Sequence, residues 1–250
     1  MGITKSGTES DWKGRIQKIM KRERAEKQLM APLWLQYPYI PDGSIGWRMG
    51  SGEYYAMQFY DWFESLTEEE QKEYDEKFPE PICWTWTESN IIEHNGYWNY
   101  KWNAENKPVY SKESIINEQK QGINREILYF WGHHSKENER TGKECFSQWY
   151  LGDFYVDAVK RPIVLTGNYY KFSQLANFRN ALLATGDSIL VEASPYDQIW
   201  GIGMSAKEAK ESKVEDWRGE NLLGFALMEV RDELNRLRKF ESEIDYSKGV

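Results

Sequence analysis

Cysteine is scarce: Cys83 and Cys145 are the only two in 250 residues. Two thiols cannot build a disulfide framework, and such usage suits a reducing compartment. Basic charge is outweighed, with 32 Lys and Arg against 40 Asp and Glu and a formal charge of −8. A broad nucleic-acid groove needs a basic surface to displace counterions, so that partner class is disfavoured. A compact pocket for one nucleotide-like group stays compatible with this balance. No apolar run approaches the ~18 residues of a membrane helix. The opening Met1-Gly2-Ile3-Thr4-Lys5 turns polar without the apolar centre of a signal peptide. These absences predict a cytoplasmic protein with no membrane contact.

Several catalytic signatures are missing too. Gly43, Gly46, Gly50 and Gly52 lack the strand and helix start that frame a dinucleotide fingerprint, and read as turns. Ser147, Ser173 and Ser194 lack the Gly-x-Ser-x-Gly elbow that exposes a nucleophile. His133-His134 with Cys145 has no fourth ligand at a usual interval, so neither a metal nor another cofactor is expected.

What is abundant is aromatic: 12 Trp, 16 Tyr and 10 Phe. Large aromatics fill cores, and they also stack on flat ligands such as nucleobases. Core packing accounts for most of them. Residues 9–30 are charged with sparse apolar points at Trp12, Ile16, Ile19 and Met20, the spacing of an amphipathic arm. Pro32, Pro38 and Pro41 then forbid a continuous helix and imply an extended packed segment. A helix is predicted over 53–66, with Tyr55, Phe59, Trp62 and Phe63 on one side. Thr67 and Glu70 form a capping box for the next, and residues 82–110 suggest short strands. Further strands are predicted at Tyr129-Phe130-Trp131, Phe154-Tyr155-Val156, Ile163-Val164-Leu165 and Ile189-Leu190-Val191. Ser173 is a candidate cap for a helix stopped by Gly186, and Ser205 with Glu208 a second capping box. Leu223, Leu227, Val230, Leu234 and Leu237 recur at three- and four-residue steps, a long amphipathic helix laid over the core.

Chemistry concentrates after the strand at 189–191. Glu192 and Asp197 follow it, beside Trp200, Gly201 and Gly203. Two carboxylates, an indole and glycines that let a ligand approach the backbone can rim a pocket for acid–base work on a flat substrate. A surface turn with one anchoring Trp explains the same residues.

The second half carries an ordered series of motifs: Trp131-Gly132-His133, Ser147-Gln148-Trp149, and Gly167-Asn168-Tyr169-Tyr170-Lys171-Phe172-Ser173-Gln174. Leu182-Leu183-Ala184-Thr185-Gly186 follows, then the run from Leu190 through Glu192-Ala193-Ser194-Pro195 and Asp197 to Trp200-Gly201-Ile202-Gly203. Asn221-Leu222-Leu223-Gly224 with Leu227-Met228 and Arg231 completes it. Over about 127–234 this resembles the NADAR (YbiA-like) family of N-glycosidases. The resemblance implies an α+β fold, a small sheet surrounded by helices. Residues 1–30 would form a charged arm, 31–126 an aromatic-rich accessory region, and 127–250 the family domain. Residues 44–50 look like an N-terminal extension of some members.

The resemblance also implies hydrolysis of an N-glycosidic bond in a ribosylated or ADP-ribosylated nucleobase, or in a pyrimidine intermediate of riboflavin synthesis. Such bonds break through an oxocarbenium-like transition state, stabilised by a carboxylate facing the ribose. Asp197 is the first catalytic candidate, Glu192 the second with an equal structural claim, and Trp200 a stacking wall. Lys171 could bind phosphate, form a Schiff base with an opened ribose, or be a surface charge. Gly201, Gly203, Trp131, Gly132, His133, Gln148, Trp149, Asn168 and Gln174 are the implied substrate contacts. Arg231 could pair with a pocket carboxylate or serve a structural ion pair.

One departure is large. Family members carry a few dozen mostly helical residues between positions equivalent to 156 and 163, including the Glu and Trp to which catalysis is attributed. Here Asp157-Ala158-Val159-Lys160 runs directly into Arg161-Pro162, and no Glu lies between Glu144 and Glu192. The alternative expectation is therefore a degenerate member that binds an ADP-ribose-like ligand or a protein partner without turnover.

Overall fold

The computed structural model describes residues 29–40, 42–84, 91–94, 97–100, 109–130 and 153–249; for 91–94, 97–100, 153–160 and 162 only the backbone is described. Eight α-helices are present among them, α1 Leu33–Gln36, α2 Ser51–Glu64, α3 Glu68–Lys77, α4 Lys112–Lys120, α5 Asp153–Gln174, α6 Ala176–Leu183, α7 Ala206–Lys210 and α8 Leu222–Leu237. Strands β1 Ile91–His94 and β2 Tyr97–Tyr100 form an antiparallel hairpin. Strands β3 Ile127–Phe130 and β4 Ile189–Glu192 pair in parallel, with Phe130 opposite Glu192. Parallel strands need a long crossover, and α5 and α6 lie within it. The α+β class follows.

All of β4 is buried, and α8 packs over it. The repeat of Leu223, Leu227, Val230, Leu234 and Leu237 predicted that helix, and Met228, Val230, Leu234 and Leu237 are among its buried residues. Both predicted capping boxes form, at Thr67 with Glu70 and at Ser205 with Glu208. Gly186 stands in the left-handed region just past α6, at φ +57°. Residues 9–28 of the expected arm lie outside the described residues.

Three expectations are corrected. Phe154-Tyr155-Val156 and Ile163-Val164-Leu165 are not strands but parts of the 22-residue helix α5. Short apolar runs do not distinguish strand from helix, and the decisive spacing is longer: Leu165, Tyr169 and Ser173 are buried at four-residue steps. Ser173 does not cap a helix. Its hydroxyl donates to the Tyr170 carbonyl at 3.1 Å, inside α5, and α6 begins after Leu175 with no side-chain cap. The proline-rich stretch is not wholly extended either, since Pro32 precedes the one-turn helix α1. Proline suits that position because its missing N–H would be unsatisfied at a helix start.

The aromatic first half builds a second core, which Ile244 and Phe240 from beyond α8 complete. Tyr55, Phe59, Tyr74, Phe78 and Trp84 are buried there, with Trp34, Tyr37 and Trp47 packed against them. Tyr74 and Phe78 lie 4.9 Å apart between ring centres, and Tyr37 meets Tyr55 edge-on at 5.5 Å. Two backbone carbonyls of the entering chain end on buried phenols: Tyr55 donates to Ala31 at 2.7 Å and Tyr74 to Met30 at 2.9 Å.

Two carboxylates one turn apart on α8 anchor the chain segments beside it. Glu233 accepts from the Ile82 N–H at 2.9 Å and holds Arg236 through both oxygens, at 2.7 and 2.8 Å. Glu229 accepts from the Val109 N–H at 3.3 Å and pairs with Arg161 of α5. Leu29 forms a parallel bridge with Ile244 beyond α8, and Cys83 and Ile115 enter the core beneath α8.

The buried phenols predict an alkaline weakness. Burial is the first cause raising the pKa of both Tyr55 and Tyr74 above 10, with the charge of Tyr37 next for the former and of Tyr55 next for the latter. Above pH 10 the unfolded chain releases these protons while the folded chain keeps them, so stability falls as pH rises through that window. The Tyr55→Phe variant should lose stability less steeply with pH, read from denaturation midpoints measured at successive alkaline pH values. Parallel slopes in the variant and the parent would contradict the assignment.

Candidate functional site

β4 ends at Glu192, whose side chain is fully buried. The chain then makes a compact turn over residues 194–203. Asp197 organises it: Oδ1 accepts from the N–H of Ile199 at 2.9 Å and of Trp200 at 2.8 Å. An aspartate bonding to backbone two and three residues ahead is a local turn former. The turn closes on β4 through Ile202 N–H to the Glu192 carbonyl at 3.0 Å, and on itself through Gly203 N–H to the Asp197 carbonyl at 2.9 Å. The residues entering α8 hold it from outside: Asn221 donates to Gly201, Leu222 to Ile199 and Leu223 to Trp200, at 3.1 to 3.2 Å.

Asn221 is the hidden link. It sits in the left-handed region at φ 57°, fully buried. Its Oδ1 accepts from the Glu192 N–H and its Nδ2 donates to the Leu190 carbonyl, both at 2.9 Å. One amide therefore fastens strand, turn and helix together. The sequence singled out Asn221 only as a motif member, although an Asn directly before an apolar-periodic helix is a capping signal.

Gly201 and Gly203 are needed for this packing. A Cβ at Gly201 would stand 2.9 Å from the Glu192 carbonyl, and Gly203 has φ +66° with Gln198 and Arg218 against it. Both residues are buried, and their lack of side chains lets the turn close. The exposed rim is Tyr196 (89% exposed) with Gln198 and Ile199, and Asp197 and Trp200 are half-buried among them. Tyr196 was not among the sequence candidates.

The other candidates do not gather here. Asn168 donates to the Val164 carbonyl within α5, and Gln174 is the last, exposed residue of that helix. Lys171 is exposed, its ammonium 5.5 Å from the Phe172 ring centre and 5.2 Å from Phe178. Tyr169, two residues before it, has Glu233 and Arg238 as electrostatic neighbours, near the far end of α8 from the Asp197 turn. Trp131, Gly132, His133, Gln148 and Trp149 lie outside the described residues, as does the His133-His134-Cys145 group. Among the described residues no three of His, Cys, Asp and Glu cluster as metal ligands, and no helix is long and apolar enough to cross a membrane.

Arg231 is 1% exposed and directed away from the turn. Its Nη1 donates to the Thr185 hydroxyl and the Ser188 carbonyl, both at 2.8 Å, fixing the entry to β4. Burial lowers its pKa, opposed by the nearby charge of Asp232. Its role is structural.

The NADAR domain family matches residues 156–235, which contain the turn, Asn221 and most of α8. An N-glycosidase of Acanthamoeba polyphaga mimivirus is 38% identical over 128 residues, 48% of this chain and 75% of the relative. An N-glycosidase of Nostoc punctiforme is 42% identical over 81 residues, covering 32% of this chain and 45% of the relative. A chloroplastic riboflavin biosynthesis protein of Zea mays is 41% identical over 95 residues, 38% of this chain but only 13% of the relative. The shared segment thus includes three quarters of the viral relative and much less of the other two. With that coverage and identity, and with the turn and its helix inside the matched residues, the chain belongs to the NADAR family.

Proposed function

We propose that the 194–203 turn forms one wall of an N-glycosidase site. The substrate class is a ribosylated or ADP-ribosylated nucleobase, or a riboflavin-pathway pyrimidine. The observation that carries this reading is the placement of Asp197: one carboxylate oxygen builds the turn, and the residue stays partly open beside Trp200. Relatives described as N-glycosidases support the reaction class, and the maize relative, described as a riboflavin biosynthesis protein, shares the matched segment over 13% of its length.

In this mechanism the second oxygen of Asp197 faces the cationic ribose as the base departs, and the fixed turn avoids reorganisation at that moment. Trp200 stacks on the leaving base. Glu192 supports the turn from below through its backbone, and the separation of Lys171 from Asp197 leaves the lysine outside this set. Replacing Trp200 with alanine should weaken binding of a substrate or its released base by about 1–3 kcal/mol. Calorimetric titration checks this, and unchanged affinity would make Trp200 a packing residue only.

The continuous helix α5 favours a second reading, binding without turnover. Residues 157–160 pass straight into Arg161 on one helix, leaving no room there for the family segment that bears its Glu and Trp. Incubation with an ADP-ribosylated guanine oligonucleotide and with a ribosyl-pyrimidine of the riboflavin pathway separates the readings. Release of base or sugar, detected by mass spectrometry, supports the enzyme and identifies the branch. Binding without release supports the second reading.

A further inference from the structure

At the opposite end of α8 from the turn, the structure holds a cleft of about 320 Å³ between α6 and the residues after α8. Arg179, Asn180, Asn235, Arg238, Lys239 and Glu241 line it. Three cations against one carboxylate leave a local charge of +2 on a chain whose total is −8. Glu241 is already engaged, by the guanidinium of Arg238 and by the Tyr246 hydroxyl at 2.6 Å. Arg179 forms no salt bridge among the described residues, although the charge of Glu241 acts on it across the cleft. Its Nη1 donates to the Ser173 carbonyl at 2.8 Å, which orients the guanidinium fork. Burial and then the charge of Arg238 lower the pKa of Arg179, opposed by the charges of Glu241 and Tyr246.

Arg238 and Lys239 also complement the negative end of the α8 dipole. Arg179 likewise complements the negative end of α5 through the Ser173 carbonyl, but that bond uses only Nη1 and leaves the other donors of the fork for the cleft. Two amides and a planar, oriented guanidinium beside a second cation offer donors to several oxygens of one anion, which is how phosphate groups are recognised.

We propose that this cleft binds a phosphate or pyrophosphate group of a small molecule, at a site separate from the Asp197 turn. Leu223, which carries the turn, and Asn235, which lines the cleft, are twelve residues apart on one helix, or roughly 18 Å. The proposal is independent of the N-glycosidase reading.

Calorimetric titration of the full chain with pyrophosphate, at constant ionic strength set by sodium chloride, tests it. Saturable binding is expected, weakened at least tenfold in Arg179→Gln and in Lys239→Gln, and unchanged in Asp197→Asn. Lys239 is exposed, so its variant keeps the test valid even where loss of the Arg179 bond to Ser173 disturbs folding. A parallel titration with ADP distinguishes the sources of the group: binding tighter than pyrophosphate that is weakened in Lys239→Gln supports the site with a nucleotide as occupant, and equal binding supports it with the free anion. Absence of saturable binding, equal affinity in the parent and Lys239→Gln, or loss of binding in Asp197→Asn would overturn the proposal.

Discussion

Replacing Asp197 with asparagine should lower turnover about 100-fold or more, the scale of removing one electrostatic contact to a developing charge, while leaving the melting temperature unchanged. The amide oxygen of asparagine still accepts from the N–H groups of Ile199 and Trp200, so the turn survives. What disappears is the negative charge that the proposed mechanism sets opposite the ribose. Asp197→Ala removes both acceptor bonds as well and should cost a further 0.5–2 kcal/mol or so of stability, as losses of such side-chain caps do. The pair separates chemistry from architecture. Activity lost in step with stability in both variants would assign Asp197 to the turn alone, and full activity in Asp197→Asn would remove it from the mechanism.

Asn221→Ala should be the most damaging single change to the fold around the site. It leaves the Glu192 N–H and the Leu190 carbonyl unpaired in a buried setting, each worth about 1–3 kcal/mol. It also places alanine in the left-handed conformation at φ 57°, at roughly 1–2 kcal/mol. A total of at least about 3 kcal/mol is a large part of the 5–15 kcal/mol that stabilises a typical domain. Asn221→Gly relieves the backbone cost but not the lost hydrogen bonds, so its denaturation midpoint should fall between alanine and the parent. If the alanine variant denatures with the parent, Asn221 does not join strand, turn and helix energetically.

The helix α8 was legible because its one buried face imposes the three- and four-residue apolar repeat, and the capping boxes at Thr67 and Ser205 were legible because their hydrogen bonds are local. The turn was legible as a cluster, since Glu192 through Gly203 are neighbours in sequence. Its internal logic was not, although Asp followed by backbone N–H groups two and three residues on is an Asx-turn signal. Helix α5 was misread because its strand-like triplets are shorter than one helical turn allows to be diagnosed, while its burial is set by α8. Helix α4 escaped notice despite the capping box at Ser111, whose partner at N3 is Ser114 in place of the usual Glu or Gln. Lys171 and Asp197 belong to one family motif series, yet their separation along α8 depends on packing that no spacing of residues encodes.

The most direct test of the central claim is to carry out the reaction in water enriched in heavy oxygen and weigh both products. Hydrolysis of an N-glycosidic bond predicts one heavy oxygen in the released sugar, at the anomeric carbon, and none in the released base. Intact substrate after prolonged incubation, or heavy oxygen in the base, would contradict it.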